Sequence, residues 1–174
     1  MVILVSRLSR HISPWYRTAM KVALVGANRP KLLELLESFS GVFSVVDTDP
    51  EYVISYGGDG TLLQAEHLFP GIPKINLKDS EVAKRAENHS NHEVLQHFLD
   101  GTFVLEQLVK LEASFNGQTI VGLNDIVITN ENPRHAIRYK VFVRGSQVGD
   151  RVIGDGVVVA TPFGSTGYYR SITD

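Results

Sequence analysis

Apolar residues along the 174-residue chain follow two different rhythms. In the first hundred residues, short apolar runs alternate with amphipathic segments. Lys21-Val22-Ala23-Leu24-Val25-Gly26 reads as a strand closed by glycine. Asn28-Arg29-Pro30 then turns into residues 31–39, where Leu32, Leu35, Leu36 and Phe39 share one helical face and Pro30 suits a first helical turn. The pattern predicts further strands over 42–46, 52–55 and 72–77, with a helix over 61–68. Strands alternating with helices in this way predict a doubly wound parallel sheet.

The rhythm changes near Asp100-Gly101. Residues 102–113 are β-rich, and Asn116-Gly117 is a strong type I′ hairpin signal. More strands are predicted over 126–129, 138–144 and 157–160, with no helical period between them. The expected fold class is α/β: an N-terminal doubly wound parallel-sheet domain, then an antiparallel β-rich domain incomplete at the C-terminus. The expected organisation is an N-terminal extension over 1–19, an α/β domain over 20–101 and a β-rich domain over 102–174. The uninterrupted apolar run 157–160 predicts burial on both faces. Only three residues follow Ser171, too few for a covering strand. Cover is therefore expected from elsewhere in the chain, from a second subunit, or from further sequence.

Composition narrows the class only a little. Hydrophobic residues make up 43% and charged residues 21%, as in ordinary globular proteins. A formal charge of −2 with scattered basic residues gives no footprint for nucleic acid or for an acidic membrane surface. The chain has no cysteine, which excludes disulfides and thiolate metal sites and suits a reducing compartment. No apolar run is long enough to span a bilayer as a helix. The expectation is a cytoplasmic protein with neither nucleic-acid nor membrane partners.

The candidate chemistry begins at Gly57-Gly58-Asp59-Gly60-Thr61, between a predicted strand and a predicted helix. A glycine turn entering a helix converges backbone N–H groups on the helix's positive end, which suits a phosphate. An acid aimed at that phosphate would repel it, so Asp59 needs another task. It could hold a metal, bind a sugar hydroxyl, or take a proton from a hydroxyl that attacks the phosphate. The bland alternative on five residues alone is a glycine turn with a solvent-facing or capping aspartate. Neither G-x-x-x-x-G-K-[ST] nor a G-x-G-x-x-G opening the first helix occurs, so the common phosphate and dinucleotide schemes do not apply.

A second cluster, Gly154-Asp155-Gly156-Val157-Val158-Val159-Ala160-Thr161-Pro162-Phe163-Gly164-Ser165-Thr166-Gly167-Tyr168, joins a strand to a loop of hydroxyls, glycines and an aromatic ring. Such a loop can hydrogen-bond a planar base and its ribose while Tyr168 packs on the ring. Between the two clusters, Leu123-Asn124-Asp125-Ile126-Val127-Ile128 sets an amide and a carboxylate, fitting partners for a ribose diol, at the start of a strand.

Together these three segments resemble the NAD kinase family, whose pattern is a GGDGT loop, an Asn-Glu or Asn-Asp pair before a strand, and a GDG-strand-TPTGSTAY segment. Their order and approximate spacing match from about Met20 to Ser171, which suggests a short or C-terminally truncated member. GGDGT alone is shared with lipid kinases.

The resemblance implies that Asp59 acts as general base on the 2′-hydroxyl of the adenosine ribose of NAD, which attacks the terminal phosphate of ATP or polyphosphate. Gly57, Gly58, Gly60 and Thr61 would line the phosphates, with magnesium or another divalent cation held mainly through the phosphates rather than by a protein metal site. Asn124 and Asp125 would hold ribose hydroxyls. Thr166, Gly167, Tyr168 and Ser171 match positions lining the adenine and amide pockets, and Asp155 one that reaches the nicotinamide end. The family's Gly-x-Leu-Gly-Phe is replaced by Lys78-Asp79-Ser80-Glu81-Val82. A basic residue is replaced by Ile153, so Arg134 or Arg151 would have to stand in. The resemblance also implies a homo-oligomer, dimer or tetramer, as the partner besides small nucleotides.

Other features have plainer readings. His92 and His97, five residues apart, would lie about 140° apart on a helix, which makes a solvated helix face the better reading than a metal pair. Trp15 and Tyr16 read as packing residues and Lys84-Arg85 as a surface pair. Two alternatives to the kinase stay open: a GGDGT kinase for a lipid or other alcohol, and a non-catalytic NAD(P)-binding protein.

Overall fold

The structure, a computed structural model, describes the backbone of residues 2–4 and the whole of residues 19–79 and 90–173. Trp15, Tyr16, Ser80, Glu81, Val82, Lys84 and Arg85 lie outside the described residues. The chain divides into two units, Met1–Leu108 and Val109–Asp174.

The first unit is an α/β fold. Its strands are β1 (Val2–Leu4), β2 (Met20–Val25), β3 (Phe43–Val45), β4 (Tyr52–Tyr56), β5 (Lys74–Leu77) and β6 (Leu105–Gln107), and its helices are α1 (Arg29–Glu37), α2 (Asp59–Leu68) and α3 (Asn91–Leu99). They form one six-stranded sheet in the order β3-β2-β4-β5-β1-β6. The first four of these strands are parallel, while β1 runs antiparallel to β5 and parallel to β6. The N-terminal stretch, expected as an extension, thus places a short strand between β5 and β6.

Strand alternation gives each sheet face its own core. Val22, Ile54, Ile75 and Leu77 turn to the face covered by Leu32 and Leu36 of α1 and by Leu95 and Phe98 of α3. Ala23, Val25 and Val53 turn to the other face, against Ala65 of α2. Helix α1 starts at Asn28, whose Oδ1 accepts from the Lys31 amide, with Pro30 in the first turn. Helix α3 starts at a capping box of Ser90 and Glu93. Far from the glycine turn, the fully buried Lys74 ammonium pairs with the Glu66 carboxylate and donates to the Phe69 carbonyl at 2.6 Å. The other Glu66 oxygen accepts from the Gly71 amide at 3.0 Å. This cluster ties the end of α2 to the start of β5, which begins at Lys74 rather than at Ile72.

The second unit is antiparallel. It contains β7 (Leu111–Phe115), β8 (Gln118–Gly122), β9 (Asp125–Thr129), β10 (Ile137–Val143), β11 (Ser146–Gly154), β12 (Gly156–Ala160) and α4 (Tyr168–Thr173). The strands pair as three two-stranded ladders, β7-β8, β10-β11 and β12-β9. Asn116 and Gly117 carry φ of 49° and 76°, as the type I′ turn between β7 and β8 requires. Strand β12 departs from the expectation of burial on both faces: Val157 and Val158 are half-buried and Val159 is exposed. Among the described residues β12 has one strand neighbour, β9, so one edge and part of its faces stay open.

Candidate active site

The glycine turn sits where β4 hands over to α2. Gly57 donates its amide to the Leu77 carbonyl at 2.8 Å, fixing the turn to the end of β5. A Cβ on Gly57 would collide with the Thr61 side chain, so this glycine is demanded by packing. Gly58 and Gly60 differ: a Cβ on either would meet nothing within 4 Å. The fold itself does not require them to be glycine, and their bareness leaves open space above the first turn of α2. Gly58 is the N-cap and Asp59 the first helical residue, so Asp59 does not occupy the capping position. Asp59 is exposed, and its charge stands at the positive end of the α2 dipole, a favourable place for a carboxylate. Thr61 is half-buried beneath Gly57.

Around this turn the carboxyl ends of β2, β4 and β5 meet. The Lys31 ammonium lies 3.3 Å from Asp79 Oδ1. The Tyr56 hydroxyl interacts with both partners. Burial pushes the Tyr56 hydroxyl above its ordinary pKa, helped by Asp79, while Asp79 followed by Tyr56 raises Lys31. Motif reading missed these three residues, because partners 48 positions apart leave no local pattern.

In the second unit, β9 and β12 pair with Asp125 opposite Ala160, which brings Asn124 beside Thr161. Thr161 is buried and ties the two loops together. Its amide donates to the Asn124 carbonyl at 2.8 Å and its hydroxyl to the Leu123 carbonyl at 2.7 Å. The same hydroxyl accepts from the Gly164 amide at 3.0 Å. A Cβ on Gly164 would overlap the Asn124 backbone, and one on Gly167 would lie 3.7 Å from Asn124 Nδ2. Gly164 therefore lets the loop close on Asn124, whereas a side chain at 167 would make only an ordinary contact. Within that closure Asn124 Oδ1 is buried with no hydrogen-bond partner. A buried acceptor left unpaired costs roughly 1–3 kcal/mol, so the loop holds an acceptor that a ligand hydroxyl could satisfy.

Thr166 ends a 3₁₀ turn over Gly164–Thr166, Gly167 caps it, and Tyr168 and Ser171 lie on α4. Tyr168 is exposed, and the Ser171 hydroxyl donates to the Tyr168 carbonyl at 2.7 Å, so part of its capacity is spent inside the helix. Asp155 lies at the opposite end of β12 from Asn124, separated by roughly 15–20 Å of strand. Arg134 is exposed on the loop between β9 and β10, its amide accepted by Asn132 Oδ1 at 3.1 Å. The second unit therefore gathers Asn124, Asp125, Thr166 and Gly167 at one end and sets Asp155 and Arg134 away from them.

His92 and His97 are both exposed on α3; His92 stacks against Phe39 with ring centroids 4.7 Å apart, and His97 Nδ1 lies 2.8 Å from Thr102 Oγ1. Among the described residues no group of three His, Cys, Asp or Glu side chains could hold a metal ion, and no helix is long and apolar enough to cross a membrane.

No family model matches the chain. Individual proteins do. The NAD kinase of Thermococcus gammatolerans is 35% identical over 136 residues, which is 75% of this chain and 48% of that protein. The NAD kinase of Pyrococcus furiosus is 32% identical over 135 residues, with the same coverage of 75% and 48%. The NAD kinase of Saccharolobus islandicus is 30% identical over 160 residues, 89% of this chain and 63% of its own length. The chain thus spans about half the length of the first two relatives. The fold is similar to that of an NAD kinase from Archaeoglobus fulgidus in complex with ATP, with a TM-score of 0.68 at 23% identity over 87% of this chain and 65% of that one. It is also similar to yeast NADH kinase complexed with NADH, with a TM-score of 0.65 at 17% identity over 95% and 66% of the two chains.

Proposed function

We propose, from the premise that the chain belongs to the NAD kinase family, that it transfers a phosphoryl group from ATP or polyphosphate to the 2′-hydroxyl of the adenosine ribose of NAD, giving NADP. The observation that carries this reading is the buried, unpartnered Oδ1 of Asn124 within a loop that Gly164 lets close on it. A ribose hydroxyl donating to that oxygen would remove its desolvation cost and fix the sugar. Asp125, next along β9, would accept from the neighbouring hydroxyl, and Thr166, Gly167, Tyr168 and Ser171 would border the base. Asp155, a strand's length away, suits the far end of an extended dinucleotide, with Arg134 or Arg151 a candidate cation for its phosphates.

On the other unit, Gly58 and Gly60 leave room for donor phosphates over the α2 N-terminus, and Asp59 would take the proton of the attacking hydroxyl. Among the described residues no cluster of three carboxylates or imidazoles could hold a metal by itself, so a divalent cation would be held mainly through the donor phosphates beside Asp59 and would neutralise their charge. The exposed apolar strands of the second unit also suit a homo-oligomer.

Incubation with magnesium, NAD and either ATP or polyphosphate, followed by an assay for NADP, tests the reading. NADP formation that falls about 10²–10⁴-fold in Asp59→Asn, with NAD affinity nearly unchanged, is the expected result. NAD binding without any NADP would instead favour a non-catalytic NAD(P)-binding protein. Phosphorylation of a lipid but not of NAD would favour the other GGDGT kinases.

A further inference from the structure

We infer that Lys31 is the fixed cation of the phosphoryl-donor site, positioned over the glycine turn by Asp79 and Tyr56. The inference rests on the kinase reading above and deepens it, since the three motifs assign no basic side chain to the donor.

Topology puts the three residues in one place. Strand β2 has β3 on one side and β4 on the other, so the crevice at the carboxyl ends of β2 and β4 is the topological switch point where such sheets bind ligands. Lys31 comes from the first turn of α1, directly after β2. Tyr56 is the last residue of β4 and precedes Gly57. Asp79 lies two residues beyond β5, and the Leu77 carbonyl holds the Gly57 amide. The Lys31 side chain therefore reaches across the end of β4 to Asp79, passing the strand that carries the glycine turn.

The accessibility of the three groups differs in a way that suits binding. Tyr56 is 3% exposed, and its hydroxyl interacts with both members of the pair. The Lys31 side chain is 56% exposed and that of Asp79 30% exposed. An exposed ion pair of this kind contributes little to stability. Its carboxylate orients the ammonium while the solvent-facing side of the ammonium can still meet an anion. A phosphate arriving above Gly58 and Gly60 would exchange water for a charge-assisted hydrogen bond from Lys31. This arrangement supplies positive charge without the lysine of a P-loop, which the sequence lacks.

The test uses the full chain with inorganic tripolyphosphate and magnesium in calorimetry, and donor and NAD titrations in the NADP assay. Lys31→Met should weaken tripolyphosphate binding about tenfold or more and raise the donor KM similarly, with NAD affinity unchanged. Lys31→Arg should restore most of both. Asp79→Asn and Tyr56→Phe should raise the donor KM severalfold with kcat nearly constant, as loss of positioning predicts. If the pair merely pinned α1 to the end of β5, Lys31→Met and Asp79→Asn would lower the melting temperature alike and leave tripolyphosphate binding untouched. That result, or a wild-type chain that binds no tripolyphosphate, overturns the inference. A wild-type chain that forms no NADP yet binds tripolyphosphate through Lys31 sinks the kinase reading and leaves the anion site standing.

Discussion

In the first unit the apolar side chains of the central strands β2, β4 and β5 meet helices; in residues 109–173 most apolar strand residues meet solvent. Phe98 of α3 is fully buried, whereas Phe115, at the end of β7, is 78% exposed. Phe142, Val143, Ile120 and Ile153 are likewise exposed on the hairpins of the second unit. Its buried apolar residues are Leu123 and Ile126, and both flank Asn124 and Asp125. Buried Thr161 and Gly164 complete the same knot. The first unit thus carries its glycine turn on a two-faced core, while the second concentrates burial and hydrogen bonds under the candidate nucleotide loop. Two ways of holding a site follow, one by packing and one by local bonding, and substitutions can separate them.

The largest expected effect belongs to the first unit. Lys74→Met should cost about 3–5 kcal/mol, because it strands the Glu66 carboxylate in the interior with its cation gone. Adding Glu66→Leu should recover a large part of that loss, since an apolar pair of similar volume needs no charge compensation. Urea unfolding of the single and double variants measures both steps. A single variant as stable as the wild type would show that Glu66 finds water or another partner there.

Of similar size, but designed to contrast the units, is a pair of phenylalanine truncations. Phe98→Ala should cost about 3–5 kcal/mol by opening a cavity among Tyr52, Phe103 and the α1 face. Phe115→Ala, at an exposed hairpin position, should stay within about 0.5 kcal/mol. A costly Phe115→Ala, measured by thermal or urea unfolding at several protein concentrations, would show that the hairpin face is covered in solution, and a concentration dependence would show that a second copy covers it.

Much of this division was legible before the structure. Strand β2, helix α1 and strand β4 follow from alternation and the Leu32-Leu36 stripe, because each buries a face within its own unit. The Asn116-Gly117 turn follows from its dihedral needs. What local pattern hid was set by distant partners or by mixed local chemistry. Strand β11 is not expected from the sequence: it pairs with β10 on both sides of an irregularity at Gly149 and Asp150, where Gly149 takes φ of 67°. Helix α4, Tyr168–Thr173, has no buried residue, so no apolar stripe announces it. The run in β12 spoke for two covered faces because composition cannot count strand neighbours. Motif spacing pointed to Asn124, but not to Thr161 as the hub that closes the loop on it. The Lys31-Asp79-Tyr56 group, joined only by the sheet order, had no signal in the chain.

A middle-sized effect should appear in the second unit. Asn124→Ala should weaken NAD binding by roughly 1–3 kcal/mol, because the ligand hydroxyl loses its acceptor. The same change should leave folding stability close to the wild type or slightly above it, since the unpaired Oδ1 pays a desolvation cost in the free chain. Calorimetry with NAD and a urea titration read the two quantities separately. Unchanged NAD affinity would remove Asn124 from the site, and a steep loss of stability would mean that its side chain supports the loop.

The smallest effect on folding returns to the glycine turn and has the opposite sign. Gly60 is the second residue of α2, and a Cβ there meets nothing within 4 Å. Alanine favours a helix over glycine by up to about 1 kcal/mol, and by less in the first turn. Gly60→Ala should therefore leave the first unit as stable or slightly stabilised, while the methyl group occupies the space assigned to donor phosphates and slows NADP formation. Gly57→Ala serves as the contrast, because its Cβ would strike the Thr61 side chain and should destabilise the turn itself. Melting curves and NADP assays on the two variants separate packing from function. If Gly60→Ala keeps full turnover, the open space over α2 does not receive the donor, and the bareness of that glycine needs another cause. If it unfolds more easily, the turn is tighter than its geometry indicates, and glycine at 60 belongs to the fold rather than to the chemistry.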